Sequence, residues 1–254
     1  MFTQDVPSED EIGQYYRSDN YISHTNTSEG IVNTLYHRVR KITLEQKRKL
    51  LAKITKKNTG TLLDIGAGTG SFASHMKSAG WNVTALEPDS HARQVAFQTN
   101  NIHLLPSEDL FKLNASTYDV ITMWHVLEHV HRLHEYIDQC KKLLLPNGKL
   151  VVAVPNFTSK DALHYQQYWA AYDVPRHLYH FSPEAMKQLM SRHGLSIRRI
   201  KPMWFDSFYV SMLSEQYRSG RSNLPGALAQ GLSSNLGALT KRKTASSLIY
   251  IIEA

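Results

Sequence analysis

The stretch Leu62-Leu63-Asp64-Ile65-Gly66-Ala67-Gly68-Thr69-Gly70 constrains the fold more than any other part of the chain. Leu62, Leu63 and Ile65 suit a strand covered on both faces. Glycines at 66, 68 and 70 then allow backbone angles and a close ligand approach that a Cβ would obstruct. The helix expected next, over 71–79, starts with unpaired N–H groups and the positive end of its dipole. A buried strand that breaks into such a loop and helix marks a nucleotide-type cofactor site.

The glycine spacing separates two classes of cofactor. Dinucleotide enzymes place G-x-G-x-x-G after the first strand. Here the pattern is G-x-G-x-G, and Ser71 stands where the last dinucleotide glycine belongs. Asp64 would repel a pyrophosphate but can serve a ligand that carries an ammonium group, directly or through water. A second expected strand, 82–87, ends in Glu87 and is followed by Pro88, about 20 residues beyond the loop, where a ribose-binding carboxylate is required. These features favour an amino-acid-bearing nucleoside over a nicotinamide dinucleotide.

With further motifs downstream, the chain resembles the class I S-adenosylmethionine-dependent methyltransferases, of the group that includes small-molecule O-methyltransferases. The likeness covers roughly 61–200. Besides the loop and Glu87 it rests on Ser107-Glu108-Asp109-Leu110, on Tyr118 to Val130 with Trp124-His125-Val126-Leu127-Glu128-His129, and on Leu144-Leu145-Pro146-Asn147-Gly148-Lys149. The resemblance implies that Asp64, Gly66, Ala67, Gly68 and Gly70 hold the methionine portion of S-adenosylmethionine, Glu87 and Pro88 the ribose, and Ser107, Glu108 and Asp109 the adenine, with Trp124 and His125 also at the cofactor. S-adenosylhomocysteine is then the product. Many relatives carry an Asp just before the adenine segment; Pro106 stands there in this chain. Tyr21 and His24, with Tyr15 and Tyr16, resemble the aromatic lid that relatives fold over the cofactor.

The expected architecture is α/β: a Rossmann-like, doubly wound, mostly parallel seven-stranded sheet with an N-terminal helical extension and two cap insertions. Strands are expected near 61–65, 82–87, 102–105, 118–124, 149–154, 195–200 and 247–253, and helices over 71–79, 90–98, 131–145 and 183–193. Ser182-Pro183-Glu184 reads as a helix start and Gly194 as its stop. Residues 1–57 form the extension, a lid, and 58–254 the methyltransferase domain. One insertion, 156–181, follows the fifth strand and is expected to cover the acceptor pocket. The other, 203–244, reads equally as helical, mobile or an oligomer contact.

A chain of 254 residues with 42% hydrophobic content can bury a full core. One cysteine, Cys140, excludes an internal disulfide framework and a cysteine metal cluster. No apolar run approaches the roughly 18 residues of a membrane span. The acidic first residues do not resemble a secretion signal, so a cytoplasmic location is expected. The charge of +7 is concentrated: 36–57 holds nine basic residues against Glu45. Ile31, Leu35, Val39, Ile42, Leu50 and Ile54 give that segment one apolar stripe, which reads as a helix packed on the core with a charged outer face.

Methyl transfer from a sulfonium needs alignment more than covalent help. A hydroxyl acceptor also needs a base, and His129, His177 and His180 are the candidates. Arg176 is a candidate for an anionic substrate group, and Tyr168, Trp169 and Tyr172 for an apolar wall or cap packing. His125-Val126-Leu127-Glu128-His129 also spells the H-x-x-E-H of inverted zinc peptidases. That reading fails for want of a third ligand in the sequence. Some quinone-pathway O-methyltransferases that this segment resembles bind a divalent ion here, but His125 replaces their first acid. No metal is expected; Glu128 and His129 are the pair that would hold one.

The expected function is methyl transfer from S-adenosylmethionine to a small-molecule acceptor, at a hydroxyl oxygen. The alternatives are an RNA or protein methyltransferase that uses the basic helix at 36–57, and a non-catalytic S-adenosylmethionine-binding protein. Nucleic acid is the less favoured partner.

Overall fold

A computed structural model of the chain describes residues 1–16, 31–221 and 223–254, with the side chains of 31–37 outside the description. In chain order the elements are α1 (Ile31–Thr55), β1 (Thr61–Ile65), α2 (Ser71–Ser78), β2 (Asn82–Leu86), α3 (Ser90–Asn100), β3 (Tyr118–Trp124), α4 (Leu133–Leu143) and β4 (Leu144–Pro155). They continue with α5 (Lys160–Tyr165), α6 (Pro183–Arg192), β5 (Ser196–Pro202), α7 (Asp206–Ser219), α8 (Leu224–Thr240) and β6 (Ser247–Glu253). Six strands form one sheet in the order β2-β1-β3-β4-β6-β5. The contacts divide the described residues into two compact units, 31–123 with 139–150, and 1–16 with 124–138 and 151–254.

In the first unit β1 pairs in parallel with β2 and β3 on its two sides, Ile65 opposite both Leu86 and Met123. Leu62, Leu63 and Ile65 are buried, as a strand flanked on both edges and covered on both faces demands. The loops after β1, β2 and β3 therefore leave the same edge of the sheet, the edge where parallel sheets bind ligands. The helices expected after β1 and β2 form with close to the predicted bounds. Asp89 caps α3 by accepting from the His91 N–H at 2.9 Å.

Among the described residues the expected seven strands are six. The segment 102–105 makes only a single bridge, Leu105 to Leu86, although Ile102 and Leu104 are buried as a strand's would be. It is too short to propagate a ladder: Asn101 is left-handed at φ 47°, and Pro106, which has no N–H to donate, opens a 3-10 turn. The fifth expected strand starts earlier than its predicted 149, because the chain turns directly from α4 into β4 at Leu144.

In the second unit β5 and β6 pair antiparallel. Ser182 caps α6 through the Ala185 N–H at 3.1 Å, as the sequence suggests. The segment left open at 203–244 is a pair of helices, α7 and α8. Asp161 ties this unit together without any exposure: it accepts from Trp169 Nε1 (2.8 Å), Ser234 Oγ (2.9 Å) and Ser246 Oγ (2.6 Å). Trp169 therefore packs the cap, among Tyr165, Ala170 and Val210. Residues 1–3 run along 177–180, with Thr3 N–H on Leu178 O at 2.9 Å and His180 N–H on Met1 O at 2.9 Å. Among the described residues no helix is long and apolar enough to cross a membrane.

Two loop glycines are needed for different reasons. A Cβ on Gly70 would stand 2.6 Å from Ile102 Cγ2 and 3.1 Å from Ala96 Cβ, inside the small core of Ala73, Ala85, Ala96, Ile102 and Leu104. A Cβ on Gly68 would meet nothing within 4 Å. Both are left-handed, at φ 73° and 56°. Gly68→Ala should cost only the conformational strain, about 1–2 kcal/mol. Gly70→Ala adds overpacking, for a total of about 2–5 kcal/mol. Urea unfolding of the two variants measures the difference.

Candidate functional site

The first unit holds the glycine loop. Gly66 and Ala67 N–H both bond Leu86 O, at 2.8 and 2.9 Å, so the loop is stitched to the end of β2. Glu87, 8% exposed, accepts from Gly68 N–H at 2.8 Å through Oε2 and from Asp89 N–H at 3.1 Å through Oε1. Each oxygen keeps a second lone pair for a ligand hydroxyl. Burial pushes its carboxyl above the ordinary range, and the two N–H bonds pull against that. Pro88 is exposed, and its carbonyl accepts from Arg93. Gly70 puts no side chain on the start of α2, which leaves that helix end to a ligand.

Asp64 is buried at the end of β1 and accepts from Thr122 Oγ1 at 2.6 Å. Burial lifts its carboxyl to about 7, against the Thr122 bond and the Lys47 charge. Sequence reasoning missed Thr122; the signal was a lone hydroxyl in the apolar run of β3. The adenine candidates are less enclosed. Ser107 and Asp109 are half-buried on the 3-10 turn Ser107–Lys112, Asp109 pairs with Lys112 at 2.7 Å, and Glu108 is exposed. Arg40 of α1 donates to Ser71 Oγ at the start of α2. Tyr21 and His24 lie outside the described residues. Against this loop S-adenosylmethionine passes a test of fit: the Gly68 Cβ direction is open while that of Gly70 is closed, and an acid stands at each end of the loop's supports.

The second unit holds the histidines. Trp124 ends β3, half-buried, and His125 follows at φ 57°. His125 Nε2 lies 2.8 Å from Asp206 Oδ2 and its Nδ1 3.4 Å from Glu128 Oε1. Burial pushes this imidazole down, but Asp206 and Glu128 outweigh it and lift it to about 10. Asp206, the first residue of α7, was not legible as a site residue, because nothing in 203–244 showed which element it would begin. The H-x-x-E-H pattern does not form a metal-binding helical turn: Leu127–His129 is 3-10, and His125 is committed to Asp206.

Glu128, His129 and His177 converge, each offering a ligand atom within 4.8 Å of the others. Both carboxylate oxygens of Glu128 are buried, and beyond the long His125 Nδ1 contact to Oε1 at 3.4 Å neither has a hydrogen-bond partner. His177 Nδ1 bonds Ala171 O at 2.9 Å, and His129 Nδ1 bonds Arg176 O at 2.9 Å, with Tyr16 Oη also at 2.9 Å. Carbonyls only accept, so the hydrogen of each ring sits on Nδ1 and the lone pair on Nε2. Burial and the neighbouring His129 push His177 down to about 4. Burial raises Glu128, but His125 and His129 hold it below the ordinary carboxylate range. A carboxylate and two imidazole lone pairs thus converge with no donor among the three, a set that fits a proton or a divalent cation. His177 joins the Glu128 and His129 pair from a segment the sequence did not connect to it.

His180 is separate from this cluster: its Nε2 lies 3.1 Å from Thr3 Oγ1, its ring edge-on to Tyr172. Arg176 pairs with Asp173 at 2.6 Å. In a proton NMR titration His125 should stay protonated through pH 8 and His177 neutral down to about pH 5, given values near 10 and 4. The His125 pair stabilises the fold fully below its ordinary pKa of 6.5, and that contribution is lost as pH rises through 10. Asp206→Asn should bring His125 down and flatten that part of the stability profile.

Comparison with known proteins follows the same lines. The sequence profile of the family described as "Methyltransferase domain" matches residues 36–200. A ubiquinone biosynthesis O-methyltransferase of Photobacterium profundum is 34% identical over 109 residues, 40% of this chain and 46% of the relative. One of Glaesserella parasuis is 34% identical over 125 residues, 43% of this chain and 53% of the relative. The chain spans about half the length of the curated relatives it matches. Among solved structures, magnesium protoporphyrin IX methyltransferase of Synechocystis PCC 6803, with bound S-adenosylhomocysteine, superposes with a TM-score of 0.58 at 14% identity, over 94% of this chain and 93% of that one. A SAM-dependent methyltransferase of Archaeoglobus fulgidus gives 0.57 at 19% identity, over 84% and 93%. With a profile match over residues 36–200, most of its length, the chain belongs to the methyltransferase-domain family.

Proposed function

We propose that the chain moves the methyl group of S-adenosylmethionine to a hydroxyl oxygen of a small-molecule acceptor, with Glu128, His129 and His177 activating the acceptor. The observation that carries this reading is the convergence of one buried carboxylate and two imidazole lone pairs, with no donor among the three. In this reading His129, half-buried where His177 is 7% exposed, takes the acceptor proton at Nε2. Its Nδ1–H stays on Arg176 O, and Glu128 stabilises the imidazolium that forms. His177 remains neutral and orders the pocket. A divalent cation held by Glu128, His129 and His177 would supply Lewis-acid polarisation of the hydroxyl. The names of the curated relatives agree with oxygen as the acceptor atom.

The basic helix gives less support to an RNA or protein substrate. Arg48 and Lys49 pair with Glu45, Lys57 pairs with Asp119, Lys47 lies over Phe72 and Arg40 binds Ser71, so the fold itself uses five of the nine bases.

In the same proposal Glu87 holds the ribose, and Asp64 serves the ammonium of the methionine portion. Charge-assisted bonds contribute about 1.5–3 kcal/mol, so Glu87→Ala should weaken S-adenosylhomocysteine binding roughly 10- to 100-fold in titration calorimetry. An Asp64 carboxyl near 7 must lose its proton to meet the ammonium. Affinity should therefore fall as pH drops below 7, with proton release on binding, and Asp64→Asn should abolish that dependence. A flat pH profile for the wild type would remove Asp64 from the site.

His129→Gln should lower turnover by roughly 10²–10⁴-fold with S-adenosylhomocysteine affinity unchanged, read as product formation across phenolic, catecholic and aliphatic hydroxyl acceptors. Wild-type turnover that survives EDTA would assign the activation to the side chains alone; turnover lost to EDTA and restored by a divalent cation would assign it to the metal.

A further inference from the structure

Helix α8 is built with its small residues inward and its large ones outward. Its buried positions are Ala227, Gly231, Ser234 and Ala238. Gly231 is held so close to α7 that a Cβ would come within 2.6 Å of the Phe208 ring. Leu224, Leu228, Leu232, Leu236 and Leu239 are instead 52–65% exposed. At about 100° per residue those leucines fall within an arc of about 120°, one continuous ridge along the helix. Core packing cannot account for them, because the face that packs carries no leucine.

The exposed charges that flank α8 in the chain have one sign, and the acids that touch it, Glu215 at the Asn223 cap and Asp161 at Ser234, are buried. No charged residue lies within α8, and no Asp or Glu occurs anywhere from Gln216 to Ile252. Arg221 precedes the helix, and Lys241, Arg242 and Lys243 follow it, all exposed. The basic turn is held in place: Asn156 Nδ2 donates to Lys243 O at 2.8 Å and to Ala245 O at 3.1 Å. Trp204, 37% exposed, is fixed beside the helix by its carbonyl, which accepts from Asn235 Nδ2 at 2.8 Å.

We infer that α8 is a docking face for an anionic lipid surface: the leucine ridge enters the headgroup boundary, and the bases at its two ends meet lipid phosphates. Leucine ridges also join copies of a chain, but two copies meeting here would bring like charges together at both ends of the helix. An anionic surface complements them. An exposed Trp beside an apolar ridge suits the same boundary. The inference stands on this helix alone and does not depend on methyl transfer.

The test is co-sedimentation of the full chain with phosphatidylcholine vesicles, with and without phosphatidylglycerol. Binding should require phosphatidylglycerol and weaken with salt. Neutralising Lys241, Arg242 and Lys243 to Gln should weaken it about 5-fold per residue. Leu232→Gln with Leu236→Gln should abolish it. S-adenosylhomocysteine titration and light scattering on each variant report an intact fold and the oligomeric state. If the leucine variant does not fold, the charge variant decides. Absence of binding to both vesicle types would overturn the inference, as would equal binding to both, or a dimer in solution that the leucine variant dissolves.

Discussion

Everything in this chain depends on the parallel pairing of β1 with both of its neighbours. Four consecutive positions, Leu62 to Ile65, are in register with Val83 to Leu86 on one side and Val120 to Met123 on the other. Because all three strands point the same way, their carboxyl ends lie along one edge, where the glycine loop and Glu87 leave the sheet. A slip of one residue would turn every alternate side chain to the other face and bury the wrong half of each strand. Asp64 is tolerated in this strand because Thr122, its register partner, supplies the donor that burial removes from water.

The buried acids show how the same side-chain chemistry serves structure in one place and reactivity in another. Asp161 accepts three hydrogen bonds and holds the cap elements together. Glu87 is half committed, with two backbone donors and lone pairs to spare. The Glu128 carboxylate has only the long His125 contact at 3.4 Å and is bordered by imidazoles. A buried carboxylate so poorly supplied with donors costs several kcal/mol unless a proton, a cation or a substrate completes it. The degree of satisfaction, rather than burial, separates the three.

The cap reverses the usual division of labour between helices. α7 and α8 meet where Gly231 faces Phe208 and where Ser207 Oγ donates to Asn235 Oδ1 at 3.0 Å, and the glycine lets their backbones approach closely. Large apolar side chains are thereby released to the outer face of α8. Sequence periodicity alone would assign that leucine ridge to the core, since an apolar stripe on a helix is ordinarily the side that packs.

Local chemistry decided much of what could be read without a structure. The glycine loop, the acid that follows β2, the Ser182-Pro183 helix start and the alternation of strands and helices are all set by backbone conformation and burial within a few residues, so the sequence by itself determined the α/β class and the family. It overcounted the strands because a four-residue apolar segment at 102–105 reads alike whether it forms a ladder or one bridge. What tertiary structure decided were the meetings of residues far apart in the chain. His177 joins Glu128 and His129 because the Leu178 and Tyr179 N–H groups bond the carbonyl of Glu128 itself. Asp206 reaches His125 from the first turn of a helix whose existence the sequence left open. Such contacts follow from how the chain returns upon itself, and no spacing along it encodes them.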